Sequence, residues 1–152
     1  MSTPAKTLSA SHLFLMREHR GRAQVLLQLR QNNWMAGWWD ASAAGHVDIG
    51  ESMTDSLVRE AREEIGIIVE KTDAKYVVMM HSNHKKTDGQ IYYDGFFFYD
   101  KWAGKPTIIE KKKISELKWF DIDDLPQKMM HDRRQAIENY IAGINYSEFG
   151  WE

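Results

Sequence analysis

Glu60, Glu63 and Glu64 stand at i, i+3 and i+4, the spacing at which side chains on an α-helix are neighbours. Three like charges on one flank repel each other mildly unless a cation sits among them. Their oxygens suit a hard divalent ion, Mg²⁺ or Mn²⁺. The run Arg59-Glu-Ala-Arg-Glu-Glu64 also reads as a plain solvated helix face, with Arg59 and Arg62 as ion-pair partners. The stretch before it, Gly45-His-Val-Asp-Ile-Gly-Glu51, shifts the balance toward chemistry. Gly45, Glu51, Arg59, Glu60, Glu63, Glu64 and Gly66 form one pattern. At frequencies near 7% per residue, seven fixed positions coincide by chance on the order of once in a hundred million starts. By itself Gly45 reads equally well as an ordinary turn glycine.

These residues need a helix with a packed side and a loop that returns to it. Leu57, Val58, Ala61 and Ile65 form an apolar stripe beside the glutamates. Ser52 and Asp55 have capping-box spacing, and Gly66 stands where a left-handed C-cap is expected. Upstream, Ser11–Glu18 and Ala23–Arg30 read as a hairpin broken at Gly21, and Trp38–Ala44 leads into Gly45. Downstream, two short strands flank a Lys71–Asp73 turn within Ile67–Met80, and His81–Gly89 is a polar loop. Ile91–Trp102 and Ser115–Phe120 are further strands. A second helix is expected from Asp124-Leu125-Pro126, with Met130, Ile137, Tyr140, Ile141 and Ile144 on one face and Gly143 near its end. Two helices among many strands predict an α/β sheet covered by helices.

The 152 residues are one domain's worth, 43% hydrophobic and 28% charged, and the net charge of -2 excludes a strongly basic nucleic-acid binder. No apolar run approaches a membrane span, and residues 1–10 show no secretion signal, so the default expectation is a cytoplasmic protein. The chain has no cysteine, which removes disulfides, thiolate nucleophiles and Cys-ligated metals. His81 and His84 lack a third nearby ligand for zinc.

The seven-residue pattern is the Nudix box, and the chain resembles the Nudix hydrolase family (MutT-like), whose members cleave nucleoside diphosphates linked to another group. The one departure is Ala61, smaller than the usual bulky apolar residue. The resemblance implies an α/β/α sandwich with a mixed sheet, spanning residues 1–152 as a single domain with its core at about 10–145. It further implies that Glu60, Glu63 and Glu64 bind Mg²⁺ (or Mn²⁺), while Glu51 and Arg59 brace loop against helix. Glu110 sits where family members place a later carboxylate, as ligand or general base, with Glu116 as the fallback. Glu51, Arg59, Glu63 and Glu110 are therefore the candidate catalytic residues.

For the substrate, Gly45, Arg30 and Trp39 are the candidate contacts. Arg30 ends a strand that can face the box, and Trp34, Trp38 or Trp39 could stack on a base, although a tryptophan at a strand start is more often core. Arg17, Lys85 and Lys111–Lys113 are further cations. Trp119-Phe120-Asp121-Ile122-Asp123-Asp124-Leu125-Pro126 is similar to enzymes that sanitise oxidised purine triphosphates, but His131-Asp132-Arg133-Arg134 does not continue that match. Gly45-His46 is similar to isopentenyl diphosphate isomerases, whose catalytic cysteine is missing here. The expectation is a metal-dependent pyrophosphohydrolase of a nucleoside triphosphate or related nucleoside diphosphate derivative, acting on a small-molecule nucleotide without nucleic-acid or membrane partners. Alternatives are an ADP-ribose or other nucleotide-sugar hydrolase and a non-catalytic nucleotide sensor. Oligomeric state stays open, and the aromatics after the last helix are expected to cap the core.

Overall fold

Leu13 and Leu15 point to one side of the first strand and Phe14 and Met16 to the other, so that strand must be covered on both faces. The computed structural model, which describes residues 1–152, shows how. Strands β1 (Leu8–His19), β2 (Arg22–Arg30), β3 (Trp39–Asp40) and β4 (Ala43–His46) precede helix α1 (Met53–Ile65). Then come β5 (Tyr76–Asn83), β6 (Ile91–Tyr99), β7 (Ile114–Asp121), helix α2 (His131–Ala142) and β8 (Tyr146–Phe149). The sheet runs β3-β2-β1-β6-β5-β8, with β4 paired to β1 and β7 to β2. β1 is parallel to β6 and β5 to β8, and the other pairs are antiparallel. The expected α/β/α sandwich with a mixed sheet is what these elements build.

Each helix seals one apolar face. Leu57, Ala61 and Ile65 of α1 pack with Leu13, Leu15, Phe97 and Tyr99, while Ala136 and Ile137 of α2 pack with Phe14, Phe96 and Phe98 on the other side. The Phe96–Phe98 run thus divides between the faces as strand alternation requires. The β1–β2 connection turns at Arg20 and Gly21, both at positive φ, the tight two-residue turn whose twist suits a hairpin.

Several boundaries differ from the sequence expectation. Ile67–Glu70 forms no strand beyond a single bridge, Ile68 to Ala103, and Lys71–Asp73 is a turn of 3-10 helix. β5 extends through His81, Ser82 and Asn83, because β6 and β8 supply partners on both edges. Helix α2 starts at His131 rather than near Pro126, since residues 128–130 run beside β3. Trp39 N donates to Lys128 O, and Met130 N donates to Trp39 O. Its inward face carries Asp132 and Arg133 along with Ala136 and Ile137, while Ile141 and Ile144 are exposed. Residues 146–149 add an edge strand; Phe149 packs against the core, whereas Tyr146 and Trp151 stay largely exposed.

Candidate active site

Helix α1 begins with the capping box the sequence predicts. Ser52 Oγ accepts from Asp55 N, the Asp55 carboxylate accepts from Ser52 N, and Gly66 closes the helix at φ 68. Fixed at both ends, the helix turns Glu60 and Glu64 toward β4 and leaves Glu63 exposed. Glu64 is buried and accepts from Gln28 Nε2 at 3.0 Å, from Ala44 N at 3.1 Å and from Lys113 Nζ. Glu60 packs beside it. Burial and the Glu64 charge push the Glu60 carboxyl up to about 7, against the pull of Arg59. Two carboxylates crowded in this way form a site that a cation would stabilise.

Gly45 makes that crowding possible. A Cβ there would lie within 2.9 Å of all three atoms of the Glu60 carboxylate group. Arg59 ties the preceding loop to the helix by donating to Glu51 from Nε at 2.7 Å and from a terminal nitrogen at 3.0 Å. It also reaches Glu60 at 2.6 Å and Glu63 at 3.3 Å. The Glu51 bond foremost, with the Glu60 partner, raises the guanidinium pKa despite partial burial. A bidentate Arg–carboxylate pair fixes orientation as well as charge, so the loop holds a defined distance from the glutamates.

A cleft opens beside this helix. Its inner compartment, about 380 Å³, runs from Gly45 and Lys113 past His12 and Asp94 to Arg133. The walls are a buried ion network. Arg133 donates to Asp40 at 2.8 Å and to Asp132 at 2.5 Å, and Arg30 reaches Asp40 at 3.1 Å. Burial pushes Asp40 up, but Arg133, Lys113 and Arg30 more than offset it and hold its carboxyl well below the usual range. Asp94 lies 2.9 Å from His12 Nε2 and 3.1 Å from His84 Nε2. Burial opposes its charge, yet the two imidazoles and Arg133 hold it low. His84 is shifted upward, because Asp94 and Asp132 outweigh its desolvation. The ligand atoms of His84, Asp94 and Asp132 lie within 4.8 Å of one another, but His12 and Arg133 already donate to these carboxylates.

The structure thus brings together Gly45, Glu51, Arg59, Glu60, Glu63 and Glu64. It treats the other sequence candidates differently. Glu110 N bonds Glu64 O, so its loop crosses the end of α1, while its side chain is exposed and unpaired. Glu116 is an exposed β7 residue opposite Leu29. Arg30 lines the cleft with three of its nitrogens engaged, by Asp40, Asn32 and the Trp34 carbonyl, so it braces the wall rather than offering a free charge. Trp39 does not line the cleft: β3 pairing to Leu29 turns its ring edge-on to Phe120 at 4.8 Å. Trp34 and Trp38 do line it. Sequence reasoning missed Gln28, His12, Asp40, Asp94 and Arg133. The available signal was a polar residue within an otherwise apolar strand, as His12 is in β1 and Asp94 in β6.

Comparison with known proteins fits this geometry. The family model for the NUDIX domain matches residues 6–140. A NAD-capped RNA hydrolase NudC of Pseudomonas putida is 31% identical over 107 residues, 69% of this chain and 35% of the relative. The same enzyme of Stutzerimonas stutzeri is 28% identical over 123 residues, 81% of this chain and 40% of the relative. The chain therefore spans well under half the length of these curated relatives. Among solved structures, a MutT NUDIX hydrolase from Burkholderia pseudomallei superposes with a TM-score of 0.72 at 29% identity, covering 88% of this chain and 98% of that one.

Proposed function

The chain belongs to the Nudix hydrolase family, enzymes of the phosphoric anhydride bond, and from that premise we propose that it is a metal-dependent pyrophosphohydrolase of nucleoside diphosphate derivatives. One observation carries the reading: Glu60 and Glu64 are packed together under Gly45, in a space that a Cβ would fill. Glu60, Glu63 and Glu64 would hold Mg²⁺ or Mn²⁺. When bound, the metal would supply charge neutralisation for the phosphate oxygens and acidify the attacking water.

The protein's own residues do the rest. Gly45 makes room for the Glu60 carboxylate at the end of the cleft. Arg59 and Glu51 keep the loop at a fixed height over the helix, and Lys113 and the Ala44 amide fix one face of Glu64. Water adds to one phosphorus, the bridging P–O bond breaks, and the water proton passes to a nearby carboxylate. Glu110, exposed and unpaired, and Glu63, exposed and held in the protein only by Arg59 at 3.3 Å, are the proposed acceptors, since Glu64 is tied up by three donors. Every box carboxylate is present, which favours turnover over a nucleotide-sensing role.

Hydrolysis of nucleoside triphosphates, ADP-ribose, NAD and dinucleoside polyphosphates, each with and without Mg²⁺, tests the proposal. NAD belongs in the panel because of the NudC relatives. Mg²⁺-dependent release from at least one substrate is expected, with Glu63→Gln lowering kcat by about 10²-fold or more. Full Mg²⁺-dependent turnover in Glu63→Gln would remove that residue from the site.

A further inference from the structure

The cleft has an outer compartment of about 580 Å³, and it shares Trp34, His84 and Arg133 with the inner one. Both are lined mostly by polar groups, and the outer one adds a group of large aromatic and thioether side chains. The inner part is bounded by charged groups and ends at Gly45 and Lys113, beside Glu64. The outer part carries Trp34, Met35, Trp38 and Met130 on its wall, together with charged groups such as Arg133 and Glu148 and the loop that starts at His84. Polar and charged walls suit a sugar and its phosphates, whereas aromatic and thioether walls suit a flat ring.

Trp34 stands on the wall common to both. The residue is 38% exposed, and the Arg30 guanidinium lies over its ring at 4.7 Å from the centroid. Arg30 is itself immobilised by Asp40 at 3.1 Å, by Asn32 at 3.0 Å and by the carbonyl of Trp34 at 2.9 Å. The same arginine therefore pins the backbone of the tryptophan and covers one face of its ring, which leaves the opposite face as a preorganised platform. The other tryptophans near the box are less free. Trp38 already has Lys128 at 5.5 Å and the His131 ring at 5.8 Å, and Trp39 is packed on Phe120.

We propose that Trp34 is the base-stacking platform of the substrate site. A nucleobase lies on the face opposite Arg30, and the ribose and phosphates run through the inner compartment toward Glu60 and Glu64. The position of the phosphates rests on the hydrolase reading above; the stacking does not require turnover. Every base has a π-face, so Trp34 selects nucleotides over sugar phosphates and discriminates weakly among the bases.

Calorimetric binding of the four nucleoside 5′-monophosphates and of ribose 5-phosphate to the full chain tests this. The monophosphates are expected to bind more tightly than ribose 5-phosphate. Trp34→Ala should weaken them by about tenfold, leave ribose 5-phosphate unchanged, and be largely rescued in Trp34→Phe. Trp34→Leu, which keeps bulk without the π-face, gives the same reading should the alanine variant fail to fold. Equal weakening of both ligand types, a loss carried by Trp38→Ala instead, or no preference of the wild type for any monophosphate overturns the proposal. Base-dependent binding without hydrolysis of any substrate would remove the hydrolase reading and leave the platform standing.

Discussion

Gly45→Ala separates a site glycine from a turn glycine. Its φ is not in the left-handed region, so alanine meets no backbone strain, and a mere turn position would tolerate it. The new Cβ would nevertheless fall within 2.9 Å of all three atoms of the Glu60 carboxylate group. Ordinary carbon contacts are about 3.5–4.0 Å, so the carboxylate must retreat by roughly 1 Å. That retreat is cheap for the fold, because the displaced atoms are the end of a flexible side chain, and stability should change by less than about 1 kcal/mol. It is costly for chemistry, where a displacement of about 1 Å lowers rate by about 10²-fold. The assay is pyrophosphate or phosphate release at saturating substrate across a Mg²⁺ titration, beside a thermal melt. Gly143→Ala is the matched control: it sits at φ 73 in open space after α2, so it should lose about 1–2 kcal/mol of stability and no activity. Gly45→Ala with kcat and Mg²⁺ dependence near wild type would refute the view that Gly45 exists to make room for Glu60.

Two further outcomes follow from the ion network. Arg133→Met leaves Asp40 and Asp132 buried without their shared guanidinium, and should cost about 3–5 kcal/mol in urea denaturation; a loss below about 1 kcal/mol would show that the network is not structural. Asp40 and Asp94 have depressed folded-state pKa values, so their stabilisation is complete above the unfolded value near 4 and is lost as pH falls through the folded values. Urea titrations between about pH 2 and 6 should show stability falling on the acid side, with Asp94→Asn flattening that fall; an unchanged slope would contradict the assignment.

The parts of the site legible in the sequence are those within a few turns of one helix. The capping box, the Gly66 terminus, the apolar stripe and the three glutamates depend on neighbours at i+3 and i+4, so their spacing alone encodes them. Glu51 and Arg59 were reachable through the family pattern, which records a bond across eight residues. What was not legible depends on sheet order. His12 meets Asp94 across 82 residues, and Asp40 meets Arg133 across 93, because β1 lies beside β6 and the start of α2 lies over β3. The helix start at His131 was displaced from Pro126 for the same reason, since Lys128 and Met130 are held by Trp39 through backbone bonds with no local signature. Trp39 was the natural candidate for a stacking ring by its nearness to the box in sequence; pairing with Leu29 turned it into the core and left Trp34, pinned by Arg30, on the cleft.

This division has a functional consequence. On the proposed function, the carboxylates that would face the diphosphate come from α1, whose geometry is secured by its own caps and by Arg59. The cleft wall proposed to meet the rest of the substrate comes from β1, β6, the segment after β2 and the start of α2, joined by long-range ion pairs. A change at Trp34, His84 or Asp132 can therefore alter what is bound without moving Glu60 or Glu64. On this proposal, cleavage of the anhydride and choice of its nucleoside are assigned to different residues, and only the first set is written in a contiguous motif. Loss of the Arg30–Asp40–Arg133 network should accordingly raise KM before it lowers kcat, whereas displacement of Glu60 should do the reverse.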